Sequence, residues 1–278
     1  MPMIDMRDGT RLYVKDWGEG RPVVLLHGWS LNADLWDYQV WTLANAGYRA
    51  ISYDRRGFGR SDQPWRGYDY DTFADDLADV MSALGAEADV TLVGFSMGSG
   101  EVARYMSRHA GRGIAGAVLV GPVVPLLLRA DDNPQGYDPE SFDKQTAQLK
   151  NDRADFFRTY YKNHFGVGAI SHPVSQATVD WAWRMGMQAG LHPLLAAREA
   201  FGRTDFRPDL PAFNVSTLVV HGTGDTDAPI DATARAAARG IAGAELIEYQ
   251  GAPHGLMITH KERFSEDLLS FLGGQRRA

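Results

Sequence analysis

Short apolar runs alternate with longer segments of helical spacing through the first half of the chain. Residues 22–26 (P-V-V-L-L) form a continuous apolar run ending in His27-Gly28, the pattern of a parallel strand buried on both faces. Further strands are predicted at 12–17, 48–53, 89–95 and 114–121. A helix is predicted over about 32–46 with Gly47 as its stop. Another covers 72–84, with Thr72 and Asp75 in capping-box spacing and Gly85 as its stop, and a third covers 97–109. Repeated strand–helix–strand units imply right-handed crossovers and a mainly parallel sheet with helices on both faces.

The alternation breaks after Gly121. From Pro122 to about Phe213 the chain has helical segments and many aromatics but no clear strand. Strands then return at 216–220 and 245–249. A helix at 231–239 has Asp231 as N-cap and Gly240 just past its end, and a closing helix covers 261–272. The expected organisation is an α/β core over 1–121 and 214–278, interrupted by a helical cap at 122–213.

Composition narrows the classes. Of 278 residues, 44% are apolar, enough for a large ordered core. The net charge is −7, with acids and bases interspersed and no basic stripe, which argues against nucleic-acid binding. The absence of cysteine excludes disulfides, thiolate metal sites and cysteine nucleophiles, and leaves the redox compartment open. The first residues lack the basic and apolar regions of a signal peptide. The longest apolar stretch, 118–128, holds Gly121, Pro122 and Pro125 and is too short for a bilayer. A cytoplasmic protein without membrane attachment is expected; oligomeric state stays open, a homo-oligomer included.

Gly94-Phe95-Ser96-Met97-Gly98 matches G-x-S-x-G, with an apolar strand before it and a helix after it. Such a turn is tight enough to strain the serine, and flanking glycines leave room for strand and helix. Ser96 is thereby placed at the N-terminus of the next helix, whose free N–H groups suit a developing oxyanion. A serine hydroxyl also needs a base. Of eight histidines, His254 lies in the loop after the last strand, at the same sheet edge as Ser96. His27 is read as serving loop geometry and His221 as a buried hydrogen-bonding residue. His109 and His260 are expected at the surface. His164, His172 and His192 lie in the insertion, where pocket roles stay open and solvated ones are the commoner reading.

The acid should follow the strand ending at Val220, and Asp225 in His221-Gly222-Thr223-Gly224-Asp225 supplies it. Asp225 would fix the His254 tautomer. Asp227 is its competitor on the same loop. Apart from the triad acid, the Asp225/Asp227 spacing is read as solvated loop acids without a metal, since nothing near in sequence completes a ligand set. The oxyanion donors are expected to be the backbone N–H groups of Met97 and Trp29.

Taken together, His27-Gly28-Trp29, the run Tyr53 to Asp62, Tyr68 to Leu77, Gly94 to Gly98, Val102 to Tyr105, Asp205-Phe206-Arg207 and Ala252 to Gly255 resemble the bacterial non-haem chloroperoxidase and arylesterase branch of the α/β-hydrolases, near its γ-lactamase-like members. The resemblance implies an eight-stranded, mostly parallel sheet and small esters, lactones or γ-lactams as substrates. It also implies a perhydrolase side activity in which hydrogen peroxide replaces water and the peracid oxidises halide, without cofactor or metal. Ser30 stands where peroxidase-type members usually carry proline, so hydrolysis is expected to dominate and Ser30→Pro to favour perhydrolysis, with a cofactor-free chloroperoxidase whose main activity is perhydrolysis as the alternative. Ser99 stands where glycine is common.

Dehalogenases and epoxide hydrolases of this fold need an aspartate at the elbow, which Ser96 argues against. Carbon–carbon bond hydrolases use serine and stay open, whereas a non-enzymatic receptor is disfavoured by a complete triad. The charged run from Asp54 to Asp62 lacks G-K-[ST] and is read as an ion-paired structural turn. Trp181, Trp183, Met185 and Met187 are read as packing or pocket lining.

Overall fold

The computed structural model describes residues 2–274. Strands β1 (Met3–Asp5), β2 (Arg11–Trp17), β3 (Arg21–Leu26), β4 (Tyr48–Tyr53), β5 (Val90–Phe95), β6 (Ile114–Val120), β7 (Ser216–Gly222) and β8 (Glu245–Tyr249) form one sheet. Its order is β1-β2-β4-β3-β5-β6-β7-β8. β1 and β2 pair antiparallel and the remaining six strands are parallel. This is the α/β-hydrolase fold expected from the sequence. The central β5 is buried at every residue, as a strand covered on both faces must be.

Helices α1 (Asp37–Asn45), α2 (Tyr70–Ala83) and α3 (Met97–Arg108) follow in the first half of the chain. Between β6 and β7 come α4 (Pro139–Asn151), α5 (Arg153–His164), α6 (Gln176–Gln188) and α7 (Leu191–Arg203). α8 (Ala234–Gly240), α9 (Leu256–Thr259) and α10 (Lys261–Gly274) complete the order. Among the described residues no helix is long and apolar enough to cross a membrane.

Three helix starts differ from expectation. α1 begins at Asp37 instead of about 32, because Ala33–Trp36 winds as a separate 3-10 turn capped by Asn32. α2 begins at Tyr70, because the Asp69 carboxylate accepts the Thr72 N–H at 2.9 Å and caps the helix earlier. Asp75 is drawn away to Arg108 and His109, so no capping box forms and His109 is not a free surface residue. α8 begins at Ala234, since Asp231 pairs with the Arg235 guanidinium at 3.0 Å instead of capping, and Gly240 is its last residue.

The charged run after β4 is a structural knot, as expected. Arg55 and Glu101 form a fully buried ion pair, and Arg56 pairs with Asp76 at 2.6 Å. His27 donates from Nδ1 to the Gly28 carbonyl and accepts the Arg55 N–H at Nε2, 3.0 Å away. These contacts lock the loop after β3 against the start of α3.

Candidate active site

β5 ends at Phe95 and α3 begins at Met97, so Ser96 alone turns the chain between them. It does so at φ 51°, ψ −118°, a conformation that costs a non-glycine residue about 1–3 kcal/mol. The turn closes because its glycines have no side chain. A Cβ on Gly94 would collide with the Gly98 carbonyl, and one on Gly98 with the Leu26 carbonyl.

The sheet edge then aligns three side chains. The Ser96 hydroxyl donates to His254 Nε2 at 2.9 Å, and His254 Nδ1–H donates to Asp225 Oδ2 at 2.5 Å. Asp225 is itself held by the N–H groups of Asp227 and Ala228, at 2.8 and 2.9 Å. Burial raises the Asp225 pKa, but the His254 charge and these bonds outweigh it and leave the pKa below the ordinary value. Burial likewise lowers that of His254, and the Asp225 charge and hydrogen bond overcome it and raise the imidazole. His221 is buried as expected and donates from Nε2 to the Ala228 carbonyl at 3.0 Å.

Asp227 is not a solvated loop acid. His164, the last residue of α5 and 2% exposed, donates from Nδ1 to Asp227 Oδ2 at 3.0 Å. The His164 carbonyl also accepts the Gly255 N–H at 2.8 Å, beside His254. His164 Nε2 is buried without a partner. Of the two readings open for His164, solvent and pocket, burial between the acid and base loops departs from the commoner one. His172 is exposed, and His192 stacks on Trp65 with ring centroids 3.7 Å apart.

His164, Asp227 and His254 offer ligand atoms within 4.8 Å of one another, so a cation-capable set does exist around Asp227, contrary to expectation. It was invisible in the sequence because its members lie on separate segments. His254 nevertheless has both nitrogens engaged by Asp225 and Ser96.

The loop after β3 passes directly beside the serine: a Cβ on Gly28 would stand 3.2 Å from Ser96 Cβ. Trp29 follows Gly28, and its indole N–H donates to the Leu194 carbonyl at 2.9 Å. Met97 is the first residue of α3, so its N–H is a donor left free at a helix start. Ser30 has φ 63°, and its hydroxyl lies 2.7 Å from the Trp29 carbonyl and 2.8 Å from the Tyr161 hydroxyl.

Ser96 and His254 open on a narrow cavity of about 30 Å³, also lined by Trp29, Leu127, Phe142 and Arg198. Tyr137, Gln145, Tyr160 and Asp227 are shared with a wider outer cavity of about 410 Å³. Arg198 went unnoticed in the sequence; its signal was a lone arginine in the apolar start of Leu-Leu-Ala-Ala-Arg. Trp181, Trp183, Met185 and Met187 line neither of these cavities, and Trp183 donates to the Ala154 carbonyl to join α6 to α5.

The α/β hydrolase fold family model matches residues 21–261. A non-haem chloroperoxidase of Kitasatospora aureofaciens is 44% identical, over 98% of this chain and 99% of its own. A bifunctional esterase/perhydrolase of Acinetobacter calcoaceticus is 37% identical over the same shares. Among solved structures, a bromoperoxidase from Bacillus anthracis superimposes with a TM-score of 0.94 at 40% identity, covering 98% of this chain and 99% of that one. With a family match over most of its length and near-full-length relatives of this kind, the chain belongs to the α/β-hydrolase fold family, on the branch of its non-haem chloroperoxidases and esterase/perhydrolases.

Proposed function

We propose that the protein is a serine hydrolase of small carboxylic esters. The observation that carries this reading is the hydrogen-bonded row from Ser96 through His254 to Asp225. Ser96 Oγ attacks the ester carbonyl as its proton passes to His254 Nε2. Asp225 holds the tautomer and stabilises the imidazolium. The backbone N–H groups of Trp29 and Met97 receive the developing oxyanion. The alcohol leaves with the proton from His254, and water, deprotonated by the same imidazole, releases the acid and restores Ser96. The narrow cavity favours a small acyl group.

The acyl-enzyme also accepts hydrogen peroxide, which yields a peracid able to oxidise halide. The esterase/perhydrolase and chloroperoxidase relatives support this second activity. Lactones and γ-lactams are the cyclic counterparts of the same reaction. A fluorophosphonate probe tests the nucleophile: labelling is expected in the wild type and absent in Ser96→Ala. A panel of p-nitrophenyl esters, lactones and γ-lactams then ranks the substrates. Failure of both labelling and turnover would remove the hydrolase reading.

A further inference from the structure

Arg198 on α7 is a buried cation without a counter-ion. Its residue is 3% exposed, and among the described residues it makes no ion pair. Nε–H donates to Thr146 Oγ1 at 2.9 Å, and Nη2 donates to Gln145 Oε1 at 2.8 Å and the Phe142 carbonyl at 3.2 Å. All three acceptors are neutral. Nη1 has no acceptor among the described residues. The guanidinium carbon lies 4.0 Å from the Phe142 ring centroid and 5.2 Å from that of Trp29. Asp227 and Asp143 act on it only through space.

Burying a guanidinium is costly, and three neutral oxygens are satisfied more cheaply by a neutral donor. The feature that a neutral side chain would not supply is the charge, and that charge lines the same narrow cavity as Ser96 and His254. The wider outer cavity has the opposite character. Asp152, Asp155 and Asp227 line it, with no lysine or arginine. Asp227 lines both cavities, and among their lining residues Arg198 alone carries a fixed positive charge, so an anion is matched beside Ser96 and not in the wider cavity. Guanidinium–carboxylate pairing is the strongest polar contact such a group makes.

We propose that Arg198 receives a carboxylate carried by the acyl part of the substrate. Preferred substrates are then half-esters of short dicarboxylic acids, and lactones bearing a free carboxylate. This rests on the ester-hydrolase reading above and adds the acid's chemical class. Water cleaves the half-ester to alcohol and dicarboxylic acid through the Ser96 acyl-enzyme, and the carboxylate at Arg198 takes no part in bond making or breaking.

The test compares p-nitrophenyl hemiglutarate with p-nitrophenyl valerate, esters of equal carbon number. Wild-type kcat/KM is expected to favour the hemiglutarate by about tenfold or more. That ratio should collapse in Arg198→Met and survive in part in Arg198→Lys. A wild-type ratio of one or below, or equal loss on both esters in Arg198→Met, overturns the proposal. Inhibition of the wild type needs no variant: glutarate should compete with the neutral ester where glutaramide does not, and equal inhibition by both overturns it too. If the wild type hydrolyses neither ester, the hydrolase reading itself falls; if it hydrolyses both equally, only the carboxylate receptor does.

Discussion

His164 Nδ1 stands 3.0 Å from Asp227 Oδ2, and this pairing occupies the second carboxylate of the acid loop while Asp225 serves His254. The two acids, two residues apart, therefore have different partners and different expected weights. Asp225→Asn is expected to lower kcat/KM by about 10⁴, because the amide favours the wrong tautomer of His254. Asp227→Asn should cost about tenfold or less in turnover, with about 1–3 kcal/mol of stability if the His164 N–H is left unpaired. Kinetics on p-nitrophenyl acetate check the ranking, and the reverse order would move the acid to Asp227.

The strained backbone at Ser96 separates activity from stability. Ser96→Ala should retain the fold and reduce kcat/KM by about 10⁴ or more. Ser96→Gly should be equally inactive yet more stable by about 1 kcal/mol, since glycine adopts φ 51° freely. Urea unfolding of both variants reads the difference; a lower midpoint for the glycine variant contradicts strain at the elbow.

The raised His254 pKa sets the pH profile. The imidazole must lose its proton to act as base, so kcat/KM should climb with pH through a single step above the ordinary value of 6.5. The sign for stability is opposite. The shift favours the folded state below the unfolded pKa, and that contribution is lost as the pH rises through the folded one. In Asp225→Asn burial acts with less opposition, and the residual step should move down. A step that stays in place would show that Asp225 does not hold the imidazolium.

Gly98 tests the packing beneath the elbow. A Cβ there meets backbone oxygens of Leu26 and His27 rather than flexible side chains. Gly98→Ala is expected to destabilise the protein by about 1–3 kcal/mol. It should also slow turnover by shifting the Met97 N–H. Thermal unfolding and ester kinetics should fall together, and an unchanged midpoint would mean the loop after β3 yields easily.

Ser30→Pro changes meaning once the backbone is known. Proline holds φ near −65°, whereas residue 30 has φ 63°, so the loop must rotate and carry the Trp29 carbonyl with it. The Tyr161 contact is lost as well. A lower melting temperature is expected together with a higher ratio of perhydrolysis to hydrolysis, read as halide-dependent dye oxidation against ester cleavage. An unchanged ratio would assign the choice of nucleophile to the cap.

The sheet and the Ser96–His254–Asp225 row were legible because each is written locally. An apolar run marks a buried strand, and a glycine-flanked serine between strand and helix marks the elbow. β1 escaped notice because three residues, Met3–Asp5, with one buried between two exposed carry too little pattern. His164 and Arg198 escaped for another reason. Their partners, Asp227 for one and Thr146, Gln145 and Phe142 for the other, lie 63 and between 52 and 56 residues away, and helical spacing alone does not reveal that a polar side chain turns inward. The helix starts at Tyr70 and Ala234 were misplaced because Asp75 and Asp231 prefer arginines to cap positions.

The contacts of His164 also bear on inheritance. A helical cap set between two strands looks like an exchangeable cassette, free to drift or be swapped while the chemistry below stays intact. Here the last residue of α5 is bonded through its side chain to the acid loop and through its carbonyl to the base loop. Another cap grafted onto this sheet would have to replace both ties, so pocket shape and the seating of the acid and base loops are linked in any recombination of this chain.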